Sequence, residues 1–320
     1  MPLEHISDYK RPPRYMLNAH WETVIPSMFF KVKGDFYSRE RLELEDGDFL
    51  DLDWIRGGSH KCMIITHGLE GDSQRFYVKR TAHFFKAQGW DVLAWNCRSC
   101  SGEMNRLPRF YHHGDTPDLH RVVQHVLGNG YQHVVLAGYS MGGSMSLKYL
   151  GEAPRDHRLK GAVTFSVPCN LRDSAVQLQA RGNRMYEQRF LKKLIEKIKL
   201  KAERFEEVDA SGVDELPDFD AFHDRYTAPL HGFADKDHFF REATCDRYFE
   251  GLDVPVLVVN AANDPMLGQA CYPKAFAQAS DLFHLEIPKY GGHAGFSIWR
   301  KPYSYMELRA LRFIKEVLAL

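Results

Sequence analysis

Val134-Val135-Leu136-Ala137-Gly138-Tyr139-Ser140-Met141-Gly142-Gly143 decides the fold. An apolar run of strand-forming residues leads straight into Gly-x-Ser-x-Gly, and a helix-like segment, 144–150, follows with no spacer. The pentapeptide alone arises by chance. Its placement between a strand and a helix is what carries meaning, because a serine on such a sharp turn is lifted clear of the sheet. Gly138 and Gly142 leave room for the crossing backbones, and the following helix turns its unpaired N–H groups toward the serine. Ser140 is therefore the candidate nucleophile, and the N–H of Met141, the next residue, is a candidate oxyanion donor.

The surrounding chain reads as alternating elements. Residues 62–66 form a buried strand that ends at His67-Gly68-Leu69-Glu70-Gly71. A helix over 76–88, closed by Gly89, is followed by a strand over 92–95, a polar loop and a helix over 116–127. Beyond the Ser140 unit come a strand over 161–166, then strands over 254–260 and 283–288, and a closing helix over 305–320. Before all of these, 41–45 and 49–55 alternate around Asp46-Gly47, a hairpin signal. The pattern predicts an α/β protein with a mostly parallel sheet covered on both faces after an antiparallel start. Residues 169–250 break the rhythm: polar, charged and helical, they read as a lid inserted into the core. The expected organisation is a core of 1–168 with an N-terminal arm at 1–35, the insertion at 169–250, and the rest of the core at 251–320. Residues 8–30, rich in Pro and aromatics, read as an ordered arm rather than a regular element.

Ligands in such sheets sit at the carboxyl ends of the strands, where His67, Asn96 and Ser140 fall. A serine hydroxyl needs a base, and the base an orienting acid. Asp264, in Asn263-Asp264-Pro265, follows the strand that ends at Asn260. His293, in Gly291-Gly292-His293, follows the next strand, where two glycines allow a close approach to Ser140. The order Ser…Asp…His fits this fold class. The second oxyanion donor is expected from Leu69, with Gly68 lending backbone freedom and His67 buttressing the loop.

These pieces resemble the YheT branch of the α/β-hydrolases, which includes the mammalian ABHD1/ABHD3-type enzymes. The resemblance runs nearly end to end, through Pro12-Pro13, Asn18-Ala19-His20-Trp21-Glu22-Thr23, His67 to Gly71, Asn96 to Glu103, Gly138 to Gly143, Asn263-Asp264-Pro265 and Gly292 to Phe296. It implies an α/β-hydrolase fold, a triad of Ser140, Asp264 and His293, oxyanion donors at Leu69 and Met141, and carboxylic ester hydrolysis. One departure bears on the pocket wall after the fourth strand: Cys97 and Ser99 stand where the family usually has an aromatic residue and a glycine.

Composition narrows the partners. The 320 residues are 44% hydrophobic, with 42 basic and 42 acidic side chains, so nothing favours nucleic acid. No apolar run approaches the roughly 20 residues of a spanning helix, and six cysteines in so long a chain suit a reducing compartment. A cytoplasmic enzyme acting on small-molecule or lipid esters is expected, with no cofactor or metal required. Two rival readings are an acyltransferase using the same acyl-enzyme and a non-catalytic binding module. Cys97-x-x-Cys100 lacks the second pair that a structural zinc site needs. The spacing His113-x-x-x-x-Asp118 matches an acyltransferase pattern that two common residue types produce easily, and His112 with His113 has no carboxylate cluster for a metal. Over 184–207 an apolar helical stripe (Phe190, Leu191, Leu194, Ile195, Ile198) lies among Lys192, Lys193, Lys197, Lys199 and Lys201. It reads as a lid helix over the pocket, with weak contact to a membrane surface as the alternative.

Overall fold

Alternate residues of the central strands enter two separate apolar clusters: Val134 and Leu136 join one, Val135 and Ala137 the other. Side chains of a strand alternate between faces, so a strand apolar at every position must be covered on both sides. The computed structural model, which describes residues 3–4, 7–32, 34 and 36–320, shows that arrangement. Strands β1 (Leu3–Glu4), β2 (Ser38–Glu43), β3 (Phe49–Ile55), β4 (Lys61–Thr66), β5 (Asp91–Asn96), β6 (His133–Tyr139), β7 (Leu159–Phe165), β8 (Val256–Val259) and β9 (Phe283–Glu286) form one sheet. Their order is β1-β9-β8-β7-β6-β4-β5-β3-β2. Only the β2–β3 and β3–β5 pairs are antiparallel. This is the α/β-hydrolase fold.

The helices α1 (Ala19–Phe29), α2 (Phe76–Ala87), α3 (Thr116–Gly128) and α4 (Met141–Glu152) precede a helical segment between β7 and β8. That segment holds α5 (Leu171–Gln179), α6 (Arg184–Ala202), the short α7 (Phe219–Phe222) and α8 (Ala228–Leu230), and α9 (Lys236–Ala243), with no strand among them. Helices α10 (Lys274–Ala279) and α11 (Tyr305–Glu316) complete the chain. On α6, Leu191, Leu194, Ile195 and Ile198 are buried, so the apolar stripe faces the protein. Two of its lysines depart from the expected solvated face. Lys197 and Lys201 turn inward: Lys197 pairs with Glu70 at 2.7 Å, and Lys201 reaches Asn105 Oδ1 at 2.8 Å. Burial pushes the Lys201 ammonium down to about 8.

Two expectations change. The N-terminal arm contains a regular helix, α1, which starts at an Asn18 cap that accepts the Trp21 N–H at 3.1 Å and runs through Pro26. The prolines hid it, yet Pro26 forfeits only the bond to the Glu22 carbonyl. The last helix stops at Glu316 rather than 320. There the chain reverses through Ala319 (φ 55°), and the amides of Leu318 and Leu320 return to Phe313 and Ile314.

The loop after β5 is fixed by charge. Arg98, 4% exposed, donates to Asp118 through two nitrogens at 2.7 and 2.8 Å and to Asp48 at 2.7 Å. Ser99, at the position of the family's glycine, has φ 61°, a conformation that glycine adopts without penalty. Its hydroxyl bonds Asn105, which offsets that strain. Removing one partner of a buried ion pair leaves uncompensated charge, so Arg98→Ala should lower the unfolding free energy by about 3–5 kcal/mol in a denaturant titration.

Candidate active site

Ser140 sits between β6 and α4 at φ 54° and ψ −119°, backbone that L-residues rarely adopt. The turn is closed by contact rather than by sequence preference alone. A Cβ on Gly142 would lie 2.3 Å from the Thr66 carbonyl oxygen, and one on Gly138 would lie 2.5 Å from the Gly142 oxygen. Both positions therefore require glycine. Helix α4 starts at Met141, and its first N–H has no hydrogen-bond partner among the described residues.

The loop after β4 is held on both sides of Leu69. The Gly68 N–H donates to Tyr77 Oη at 3.0 Å and the Glu70 N–H to Tyr111 Oη at 2.7 Å. Among the described residues the Leu69 N–H is left without a partner. Beneath it, His67 Nε2 accepts the Cys97 N–H at 3.1 Å, which places the ring proton on Nδ1, donating to the Gly68 carbonyl at 2.8 Å. Burial drives this imidazole down to about 4, so it stays neutral and acts as a prop.

Asp264, 5% exposed, lies past the end of β8 and receives His293 Nδ1 at 2.9 Å from Oδ2 and 3.1 Å from Oδ1. Its Oδ1 also accepts the Met266 N–H at 2.9 Å, fixing the carboxylate plane. Ser140 and His293 line one cavity of about 380 Å³, together with Gly68, Leu69, Tyr186 and Met266. No hydrogen bond joins the Ser140 hydroxyl to His293 in this structure. Such contacts are often long before substrate binds.

Sequence reading missed what holds His293. Helix α1 crosses its loop: Thr23 Oγ1 accepts the His293 N–H at 2.9 Å, and Glu22 Oε2 accepts the Gly291 N–H at 2.6 Å. Glu22 Oε1 also takes a bond from Asn263 beside Asp264 at 3.0 Å, and Asn263 Oδ1 accepts the Gly292 N–H at 3.1 Å. The glycines around His293 answer to this helix rather than to Ser140. A Cβ on Gly292 would lie 2.8 Å from the Ala19 oxygen, and one on Gly295 would lie 2.2 Å from the Glu22 oxygen. Glu22, the single acidic residue between positions 9 and 31, was the available signal.

The other sequence candidates lie apart from this cavity. Asp118 is taken by Arg98, and His113 lines a second, inner cavity with His112 and His223. Cys97 and Cys100 are both free thiols, and burial raises both. Asn96 is structural: its amide donates to the Asp51 carbonyl at 2.9 Å and to Asp53 at 3.0 Å.

Because Glu22 presents two acceptors to two N–H donors, Glu22→Gln would turn an amide N–H toward one of them. The folded protein is expected to persist, with kcat on a soluble ester reduced by about tenfold to a hundredfold as His293 loses its placement. Steady-state kinetics alongside circular dichroism checks this.

A family model, Hydrolase_4, described as serine aminopeptidase S33, matches residues 57–282. The chain is 30% identical over 303 residues to the putative esterase YheT of Escherichia coli strain K12, covering 89% of this chain and 86% of that one. It is 28% identical over 294 residues to phospholipase ABHD3 of Mus musculus, covering 87% and 71%. Among solved structures, the Pyrococcus furiosus esterase Pf2001 aligns with a TM-score of 0.59 at 16% identity over 89% of this chain and 97% of its own, a likeness of fold. No helix of the described residues is long and apolar enough to cross a membrane. With its family model matched over most of the length and its strand-end motifs assembled at one sheet edge, the chain belongs to the Hydrolase_4 family, in the YheT-type branch of the α/β-hydrolases.

Proposed function

We propose that this protein is a serine hydrolase of carboxylic esters, working through Ser140, His293 and Asp264. The observation that carries the reading is the Asp264–His293 pair at 2.9 Å, lining one cavity with a serine held at φ 54°. The names of the YheT and ABHD3 relatives, an esterase and a phospholipase, support an ester substrate.

In this reading Ser140 Oγ attacks the acyl carbonyl while its proton passes to His293 Nε2, and Asp264 stabilises the imidazolium through Nδ1. The oxyanion takes hydrogen bonds from the Leu69 and Met141 N–H groups, both unpartnered in the free protein. Collapse expels the alcohol, which leaves with the proton from His293. Water then attacks the acyl-enzyme and gives its proton to the same nitrogen, which passes it to Ser140 Oγ as the acyl–oxygen bond breaks and the acid is released. The helices between β7 and β8 act as the lid.

Substrate length follows from the partition between the two cavities. Leu69 is the residue that lines both the catalytic cavity and the inner one, of about 50 Å³, formed with Phe222, Phe239 and Ala175 among others. Burial pushes His113 down to about 4 and His223 to about 3, so these rings are neutral and the inner lining is uncharged. At about 10–15 Å³ for each water-sized group, that space takes roughly four methylenes.

Ser140→Ala is expected to remain folded and to lose at least about a thousandfold in turnover of p-nitrophenyl esters, and fluorophosphonate labelling should vanish with it. A variant as active as the parent overturns the reading. Leu69→Ala keeps the backbone donor but opens the partition. Its preferred acyl chain should lengthen by about four carbons in a series of p-nitrophenyl esters; an unchanged profile removes the inner cavity as the acyl subsite.

A further inference from the structure

Helix α1 is amphipathic in the inverse sense. It buries Glu22, Thr23 and Pro26 against the His293 loop and turns Trp21, Met28 and Phe29 outward, at 48%, 57% and 69% exposure. Half-buried Ile25 lies between them, so Trp21, Ile25 and Met28 follow a helical spacing along the solvent side, and Leu17, 74% exposed, lies just before the helix cap. The chain just before the helix adds to it: Tyr15 packs against Trp299 with tilted rings, 5.7 Å between centroids, and Trp299 is 56% exposed. A contiguous exposed apolar surface of this kind marks a site of interaction.

The exposed charges of the two segments that carry it have one sign. Arg14, Lys31, Arg300 and Lys301 are exposed, and none forms an ion pair among the described residues. Between residues 9 and 31 the single acidic residue is Glu22, which is buried, and residues 297–303 contain none. Met28 and Lys31 also line the catalytic cavity, so the patch borders its mouth. Tryptophan and phenylalanine on one face with cations at the margin are the chemistry of a helix lying in a bilayer interface. Each basic residue near an anionic surface adds to the attraction.

We propose that the outward face of α1, with Tyr15, Leu17 and Trp299, docks this protein on an anionic lipid surface beside the mouth of its catalytic cavity. On α6, Leu191, Leu194, Ile195 and Ile198 are buried, so the contact is assigned to α1. The inference rests on the ester-hydrolase reading in placing a lipid ester at that mouth, but its test does not use catalysis.

Full-length Ser140→Ala protein is sedimented with phosphatidylcholine vesicles with and without phosphatidylserine, at low and at high salt. Binding to the anionic vesicles that weakens with salt, with a blue shift of tryptophan emission, is the expected result. In an otherwise native chain, Trp21→Ser combined with Phe29→Ser should reduce vesicle binding by about tenfold or more while hydrolysis of a short, soluble p-nitrophenyl ester is unchanged. No binding to anionic vesicles, or equal binding by the double variant, overturns the proposal. So does a concentration-dependent dimer that the double variant abolishes, which would assign the face to a second copy of the chain. Failure of soluble-ester hydrolysis in the native chain would instead remove the hydrolase reading and leave the binding result standing.

Discussion

Steric closeness between β4 and β6 governs this molecule. The two strands are adjacent and in parallel register, Ile64 opposite Leu136, and the chain must leave β6 and enter α4 within a single residue. That is possible because Gly142 packs against the backbone at Thr66, and Ser140 takes up a left-handed conformation. Strain of this kind costs about 1–3 kcal/mol and persists only where the surroundings over-determine it. Here the surroundings are a strand buried on both faces and a helix whose start is fixed by the same contact. The position of the hydroxyl, the direction of the helix and the free Met141 N–H are thus one consequence of one close approach.

The other groups at the rim are placed by elements remote in sequence. Asp264 and His293 lie just beyond adjacent parallel strands, which brings them together, but their loops are fastened to α1 through Glu22 and Thr23, and to each other through Asn263. The loop carrying Leu69 is fastened by the tyrosines at 77 and 111 and, from the helical insertion, by Lys197 through Glu70. Glu70 is buried, and the lysine beside it holds its carboxyl below the usual carboxylate range despite desolvation. A buried pair of this kind links α6 to the loop beside Ser140.

Features that looked chemical in the sequence resolve into structure. The Cys97–Cys100 segment is shaped by the Arg98 ion pairs and by the left-handed Ser99, whose hydroxyl bond replaces the freedom of a glycine. The histidines at 112, 113 and 223 are neutral wall residues of an inner cavity.

What the sequence determined by itself was local and periodic. The apolar runs at 62–66, 134–139 and 254–260 set the strands, and the Gly-x-Ser-x-Gly turn set Ser140. The position of Asp264 and His293 just after strands put them at the same sheet edge as Ser140, because parallel topology sends every such loop to one side. Tertiary structure alone decided which face of α1 is buried, that Lys197 and Lys201 turn inward, and that Leu69 separates two cavities. Each of those depends on a partner more than sixty residues away. A helix with a proline inside it and with Glu22 and Thr23 on its buried face carries no periodic signal of a core face, since that face is defined by hydrogen bonds to the His293 loop rather than by apolar spacing.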